Sequence, residues 1–492
     1  MSDFRLSHSP LFRTLVVALG FLAACSDNGA TVSKDSAAPS DAASIETTAA
    51  DAPFVDTQTA DAAFDLATLE ARALDTSALD ATRPDGKLRL LVLSDPHYFD
   101  PALGTTGSAF AAYVDHDRKL VAESDAVMRA MVAAVQTENP LAVLISGDLT
   151  KDGEQSSHNR VAAYLRQMQA GGRKVFVVPG NHDIQNGGAV SYSGDTSTPV
   201  PAISASEFAT IYGDMGYAGA VARDPSSLSY TAEIATGLWL LALDSCIYGD
   251  SRDAMVSSGR FTDQTKAWIQ AQLDLATQRD VRVLAMMHHG VIEHFASQAT
   301  VFSEYLVADR DAVAAMLSNG GVGAVFTGHF HANDITRGLP SGSARAIYDI
   351  ETGSTVTFPC PYRIVDVSDD MLAIVTKHVT AIDYDLGSKV DFQTFAHDSL
   401  RVGLEALIPT LMVQTKYTVS ESDATAISPW LADGLVAHYA GDEAMPASVP
   451  GEVQTLLGSG TAVGLLAGVM LQSIWTDLPP ADNTVVLDLA AR

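Results

Sequence analysis

Five short stretches place acids, imidazoles and one amide directly behind apolar runs: Asp95-Pro96-His97, Gly147-Asp148, Gly180-Asn181-His182-Asp183, His288-His289 and Gly328-His329-Phe330-His331. Carboxylate, imidazole and amide oxygen without thiolate form a hard-to-borderline donor set. It suits Zn, Mn or Fe and speaks against a structural cysteine-type zinc site. Asp95, His97, Asp148, Asn181, one of the 288/289 pair, His329 and His331 are too many donors for one ion. They suit two ions about 3.5–4 Å apart with a shared carboxylate. Singly, each residue has an ordinary explanation: an Asp after a strand is usually a turn former, and a lone His is usually just hydrogen-bonded. The joint pattern is what points to chemistry. Asp95 and His97, two residues apart, can face one way only if the strand is already bending into its loop, and His329 and His331 pose the same demand. Gly147, Gly180 and Gly328 are expected to make those sharp turns.

The elements that must aim these residues are legible as short runs rich in Val, Leu and Ile. "KLRLLVLS", "LAVLIS", "KVFVVP", "LWLLALD", "VRVLAMM" and "VGAVFTG" read as strands buried on both faces. Between them lie helical patterns, "KLVAESDAVMRAMVAAVQ", "NRVAAYLRQMQA", "TDQTKAWIQAQLDLA" and "DRDAVAAMLS". Alternation of strand and helix predicts an α/β fold, whose ligands gather outside the carboxyl ends of the strands. Residues 343–380 read as β, and the chain beyond 385 is mainly helical. Within it, "LLGSGTAVGLLAGVMLQSIW" is an uncharged run with Gly460, Gly464 and Gly468 spaced for close helix packing. No Lys or Arg flanks it, so a core helix is expected rather than a membrane span.

"DPH", "GDLT", "GNHD", "HH" and "GHFH", in this order, resemble the calcineurin-like metallophosphoesterase superfamily over roughly residues 95 to 331. The resemblance implies a four-layer sandwich of two mixed β-sheets flanked by helices, with two metal ions (Mn, Zn or Fe) above it. It implies that Asp95, His97 and His331 hold the first ion, that Asp148 bridges, and that Asn181, His288 and His329 hold the second. His289 is the alternative to His288. His182 matches the non-ligand catalytic His, and Asp183 is expected to steady its loop. Two cations neutralise a phosphate and lower the pKa of a bridging water, giving hydroxide at neutral pH, while His182 assists the leaving group. Some members place an Asp three residues after the bridging Asp to orient that His. Here Lys151 holds the place, with Asp152 beside it, and Lys151 is expected to be an exposed loop lysine. Purple acid phosphatases have a Tyr ligand to ferric iron there, so no purple ferric site is expected. The motif block is most similar to bacterial cyclic-nucleotide or general phosphodiesterases. The alternatives are a phosphomonoesterase or nucleotidase, and a surface protein that keeps the metals only for binding.

The chain of 492 residues is 47% apolar and 18% charged, so it can bury a large core. Its formal charge of -29 repels polyanions, which speaks against a nucleic-acid-binding surface; the small phosphate ester that the resemblance implies would need a local positive site, such as a bound metal. Arg5 and Arg13 precede "LVVALGFLAAC", the layout of an export signal, and "LAAC" resembles a bacterial lipobox. Residues 1–25 are therefore expected to be a lipoprotein signal with lipidation at Cys25 and a membrane-anchored, periplasmic or surface location. Residues 26–86, rich in Ala, Asp, Ser and Thr, read as a disordered tether. A catalytic domain is expected over 87–385 and a smaller helical one over 386–492. Cys246 and Cys360 are open to pairing or to remaining thiols. The insert "IQNGGAVSYSGDTSTPVPAISASEF" can shape a pocket; "DHDRKL" can approach it too, but reads first as a helix start.

Overall fold

The computed structural model describes residues 88–492 except 116, 249–254, 388–390, 415–419 and 491–492. The export signal, Cys25 and the 26–86 tether lie outside the described residues.

Numbered along the chain, the strands begin with β1 (Leu88–Leu93), β2 (Ala142–Ile145), β3 (Lys174–Val177), β4 (Val190–Ser193) and β5 (Thr196–Pro199). There follow β6 (Ala222–Arg223), β7 (Tyr230–Ala235), β8 (Leu238–Leu243), β9 (Arg282–Met287) and β10 (Ala324–Thr327). Last come β11 (Ile335–Gly338), β12 (Ile347–Glu351), β13 (Pro361–Ser368), β14 (Met371–His378) and β15 (Thr484–Asp488). They form one sheet in the order β15-β14-β13-β1-β2-β3, another in the order β11-β12-β10-β9-β8-β7-β6, and a β4-β5 ribbon. Both sheets are mixed: β1, β2 and β3 run parallel while β13 runs against β1, and β8, β9 and β10 run parallel while β7 runs against β8.

The unbroken apolar runs follow from having two faces to bury. In β8, Leu238, Leu240 and Ala242 join the core shared with the first sheet. Trp239, Leu241 and Leu243 turn the other way, onto Ile269 and Leu273 of the helix Asp263–Gln278 and Val313 and Leu317 of the helix Arg310–Asn319. The period of two along a strand thus serves two apolar layers. On the other side, Val127, Met131 and Val135 of the helix Ser124–Glu138 pack against the first sheet. The expected four-layer α/β sandwich is what forms. The carboxyl ends of β1, β2, β3, β9 and β10 open on a common edge.

Beyond residue 385 the helices Phe392–Gln414, Glu421–Ala440, Val449–Gly458 and Ala462–Ile474 build a second core around Leu404, Leu431, Leu435 and Ile474. Phe295 and Phe330 enter this core from the loops that follow β9 and β10. The stretch expected as one core helix is two. Gly460 takes a φ of 69°, and Thr461 accepts the Gly464 N–H at 3.0 Å to start the second helix. A Cβ on Gly464 would meet the Leu456 carbonyl at 2.5 Å, so the glycine spacing lets the two short helices touch. Among the described residues no helix is long and apolar enough to cross a membrane. The chain then returns as β15 to pair with β14, so the last residues belong to the first sheet. Cys246 and Cys360 are both free thiols.

Candidate metal centre

Each motif residue sits where a strand's last carbonyl gives way to a loop, and the loops are wound unusually tightly. Asp95, His97, Asp148, His329 and His331 have φ of 49°, 36°, 49°, 78° and 72°. For residues with a Cβ the left-handed region costs roughly 1–2 kcal/mol each, so the surroundings must impose it. They do so by cross-bracing the loops. Asp95 N–H donates to Gly147 O at 3.2 Å, His97 N–H to Asp148 O at 2.9 Å, and His329 N–H to Asp95 Oδ2 at 3.0 Å. The expected division of labour among the glycines needs correcting. Gly147 alone of the three has a positive φ, 104°. Gly180 and Gly328 are there for space: a Cβ on the first would overlap Asp148 Oδ1, and on the second Ser94 Oγ and Asp95 Oδ2. The bends expected of glycine are made by the acidic and imidazole residues themselves.

The structure brings all seven candidate ligands into one buried cluster with two halves. Asp95, His97 and His331 present donor atoms within 4.8 Å of one another, as do Asp148, His288 and His329. His97 Nε2 and His331 Nε2 are 3.0 Å apart, and Asp95 Oδ1 lies 3.8 Å and 3.5 Å from them. Asp148 Oδ2 stands between the halves, 3.5 Å from His97 Nε2 and 3.4 Å from His288 Nε2. Asn181 Oδ1 reaches His288 Nε2 at 3.0 Å.

The donors fit cations. Asp95 Oδ1 is buried without a hydrogen-bond partner. Burial, and then the charge of Lys119, hold the His97 imidazole well below its ordinary pKa. Burial, and then Arg118, bring His331 to about 4. Two neutral rings thus point nitrogens at each other and at an unpartnered carboxylate oxygen, which a cation satisfies together. His288 and His289 differ in how their ring nitrogens are used. His288 Nδ1–H donates to Ser146 O at 2.8 Å and turns Nε2 into the cluster. His289 spends Nδ1 on Ser245 Oγ at 2.8 Å and Nε2 on Ser257 O at 2.9 Å. His329 Nε2 also reaches Ser257 O, at 2.9 Å, which leaves Nδ1 for the cluster.

His182 stands at the rim of the cluster. Its N–H donates to Asp148 Oδ1 at 2.8 Å, its Nδ1 meets Lys151 O at 2.7 Å and Asp152 Oδ1 at 3.0 Å, and its Nε2 faces inward, 4.0 Å from Asp148 Oδ2. A carboxylate therefore does reach His182, from Asp152 rather than from the place held by Lys151. Lys151 is not the exposed loop lysine expected. It is buried, ion-paired with Asp152 and, at 3.7 Å, with Glu154, and its ammonium lies 4.5 Å from the Tyr113 ring. Two carboxylates and an aromatic face make that burial tolerable. Asp183 steadies the loop as expected. Its Oδ2 accepts Gly180 N–H at 2.8 Å and Leu149 N–H at 3.1 Å, and its Oδ1 accepts Thr150 N–H at 3.0 Å.

Of the two readings open for "DHDRKL", approach to the pocket or a helix start, the helix start is the one that fails. Residues 117–120 do not start a helix. They form a loop before Ser124, with Leu120 N–H bonded to Val356 O at 2.7 Å. The loop carries Arg118 and buried Lys119, whose charges bear on His331 and His97. Gly403 of the C-terminal helices backs the loop, since a Cβ there would lie 2.5 Å from Asp117 O. The signal was present: adjacent Arg and Lys in a chain with 30 basic and 59 acidic residues. The Tyr305 ring lies 4.5 Å from that of His329, tilted by 43°. It lines, with Arg118, Phe302, Phe330 and Tyr439, a mainly apolar cavity of about 70 Å³.

The family model described as calcineurin-like phosphoesterase matches residues 88–333. The chain belongs to the calcineurin-like phosphoesterase family. It is a metallophosphoesterase, hydrolysing phosphoric esters with the dinuclear metal centre of that family. Among solved structures it is similar to a dimetal phosphatase from Danio rerio, at 16% identity over 59% of this chain and 96% of that one, with a TM-score of 0.42. A Thermus thermophilus protein is similar at 11% identity over 59% and 99%, with a TM-score of 0.31. The phosphopantetheinyl hydrolase of Mycobacterium tuberculosis is similar at 11% over 55% and 90%, with a TM-score of 0.27. No curated protein matches the chain.

Proposed function

We propose that this metallophosphoesterase is a phosphodiesterase. In this reading Asp95, His97 and His331 hold one ion, Asn181, His288 and His329 hold the other, and Asp148 serves both. The observation that carries it is the position of Asp148 Oδ2, which has one imidazole of each half at nearly equal distance. When bound, the two ions neutralise phosphate oxygens and make coordinated water acidic enough to attack at neutral pH.

The chain's own residues supply the rest. His182, with Nδ1 fixed by Lys151 O and Asp152, directs Nε2 at the cluster. With Nδ1 so held, Nε2 is the atom placed to give a proton to a departing alkoxide. Lys119 and Arg118 approach from one rim and orient the anionic substrate. Lys119 shares its charge with Asp117 at 3.7 Å, which suits the single negative charge of a diester better than the two of a monoester. Tyr305 and the cavity beside it offer an apolar wall to one ester substituent. The proposed location is extracytoplasmic, anchored through Cys25, where nucleotides, phospholipid head groups and other phosphate esters are the available substrates.

The test is metal-free protein reloaded with Mn, Zn or Fe and assayed on bis- and mono-p-nitrophenyl phosphate. A higher kcat/KM on the diester is expected. Preference for the monoester would make the protein a phosphomonoesterase or nucleotidase. Two bound ions with no turnover across a broad ester panel would make it a binding protein.

A further inference from the structure

A second buried cluster of acids and imidazoles lies outside the centre just described, at the seam between the sandwich and the C-terminal helices. Asp334 comes three residues after His331, and His294 follows the His288-His289 pair. His438 ends the helix Glu421–Ala440, and Glu443 lies just beyond it. All four are buried. His438 Nδ1 is 3.0 Å from Glu443 Oε1 and 3.7 Å from Asp334 Oδ2, and Asp334, His438 and Glu443 present donor atoms within 4.8 Å of one another.

Three features set this group apart from an ordinary hydrogen-bonded network. Asp334 Oδ2, Glu443 Oε2, His294 Nε2 and His438 Nε2 are buried without a hydrogen-bond partner, and such atoms are costly to leave unpaired. Carboxyl groups are dense, since Asp349 Oδ1 and Glu351 Oε2 also stand 3.5 Å and 3.6 Å from His294 Nε2. Asp334 Oδ2 stands 3.7 Å from His438 Nδ1, within the 3.4 to 3.8 Å that separate carboxylate and imidazole in the dinuclear cluster, while Glu443 is hydrogen-bonded to the same nitrogen at 3.0 Å. Bonds of about 2.0–2.2 Å to one ion place neighbouring donors roughly 3–3.6 Å apart.

We propose that Asp334, His438 and Glu443 hold a further divalent cation, separate from the dinuclear pair, which fastens the C-terminal helices to the loop carrying His329 and His331. One imidazole and two carboxylates suit zinc or manganese. His294 orients the site: its Nδ1–H donates to Asp334 Oδ1 at 2.6 Å and leaves Oδ2 facing His438. Phe295 and Phe330 set their rings against His438 at 5.2 and 5.8 Å and keep water from that side. The ion's role is structural, so it stands whatever ester the enzyme cleaves.

Anomalous diffraction from crystals of the full chain grown with zinc or manganese tests the site directly. A peak among Asp334, His438 and Glu443, besides the pair at the catalytic centre, is expected. Two peaks at the centre and none at the seam would overturn the proposal. In solution, elemental analysis is expected to give three ions per chain, falling to two in Glu443→Gln, together with a lower Tm that excess zinc no longer raises. Unchanged ion content in a folded Glu443→Gln protein would overturn it, and if that variant does not fold the diffraction result decides.

Discussion

Three residues close in space, Lys151, Asp152 and His182, show how a carboxylate can reach an imidazole from a position the motif alone does not mark. The Asp152 carboxylate meets His182 Nδ1 at 3.0 Å, and the buried Lys151 ion-pairs with it. His182→Ala is expected to lose about 10²–10⁴-fold in kcat while elemental analysis still finds both catalytic ions. Loss of an ion together with activity would make His182 a ligand. Lys119→Gln is expected to raise KM for a diester on the order of 10-fold, the loss of one charge-assisted contact, with ion content unchanged. The metal-facing residues were legible because seven donors at five strand exits have no other joint explanation. Asp152 and Lys151 were not. A lysine in a loop is ordinarily exposed, and only the tertiary contacts with Glu154 and Tyr113 show why this one is inside.

Helices and strands were read correctly wherever periodicity alone decided them, as in β8 or the helix Asp263–Gln278 capped by Thr262. They were misread where a packing contact overruled the pattern. The loop of residues 117–120 continues an apolar helical rhythm, yet its backbone is taken by Val356. Because Gly403 lets a C-terminal helix press on that loop, Gly403→Ala is expected to shift Arg118 and Lys119. Kinetics should show a raised KM at constant metal content. The helix Gln155–Met168 makes a pH-dependent contribution. His158, clamped between Tyr212 at 2.8 Å and Asp183 O at 2.8 Å, is held by burial at about 3. Its neutral form is favoured in the fold, so its stabilisation is complete above the ordinary imidazole pKa near 6.5 and fades as pH falls toward 3. Denaturant titrations from pH 7 to 4 should show a smaller loss of stability in His158→Asn than in the unsubstituted protein.

At the scale of the whole molecule the C-terminal hundred residues are more than an appendage. Their helices shape the cavity beside Tyr305, their last strand closes the edge of the first sheet, and Arg363 binds Asp482 O at 2.5 Å and Glu351 O at 2.6 Å. Ending the chain at residue 385 is expected to give aggregated protein by size-exclusion chromatography, since it bares β14 and the apolar faces of Phe295 and Phe330. For the proposed anchor, Cys25→Ser is expected to move the protein from the membrane fraction to the soluble one on immunoblots. None of these long-range pairings was readable from residues hundreds of positions apart, because the sequence pattern records that a face is apolar and not what covers it.

The left-handed torsions at Asp95, His97, Asp148, His329 and His331 decide when the catalyst can come into being. No isolated segment would hold them, because a free peptide relaxes to commoner angles. Selectivity for the ions is therefore a property that the finished sandwich confers on ordinary side chains, and loading has to follow folding.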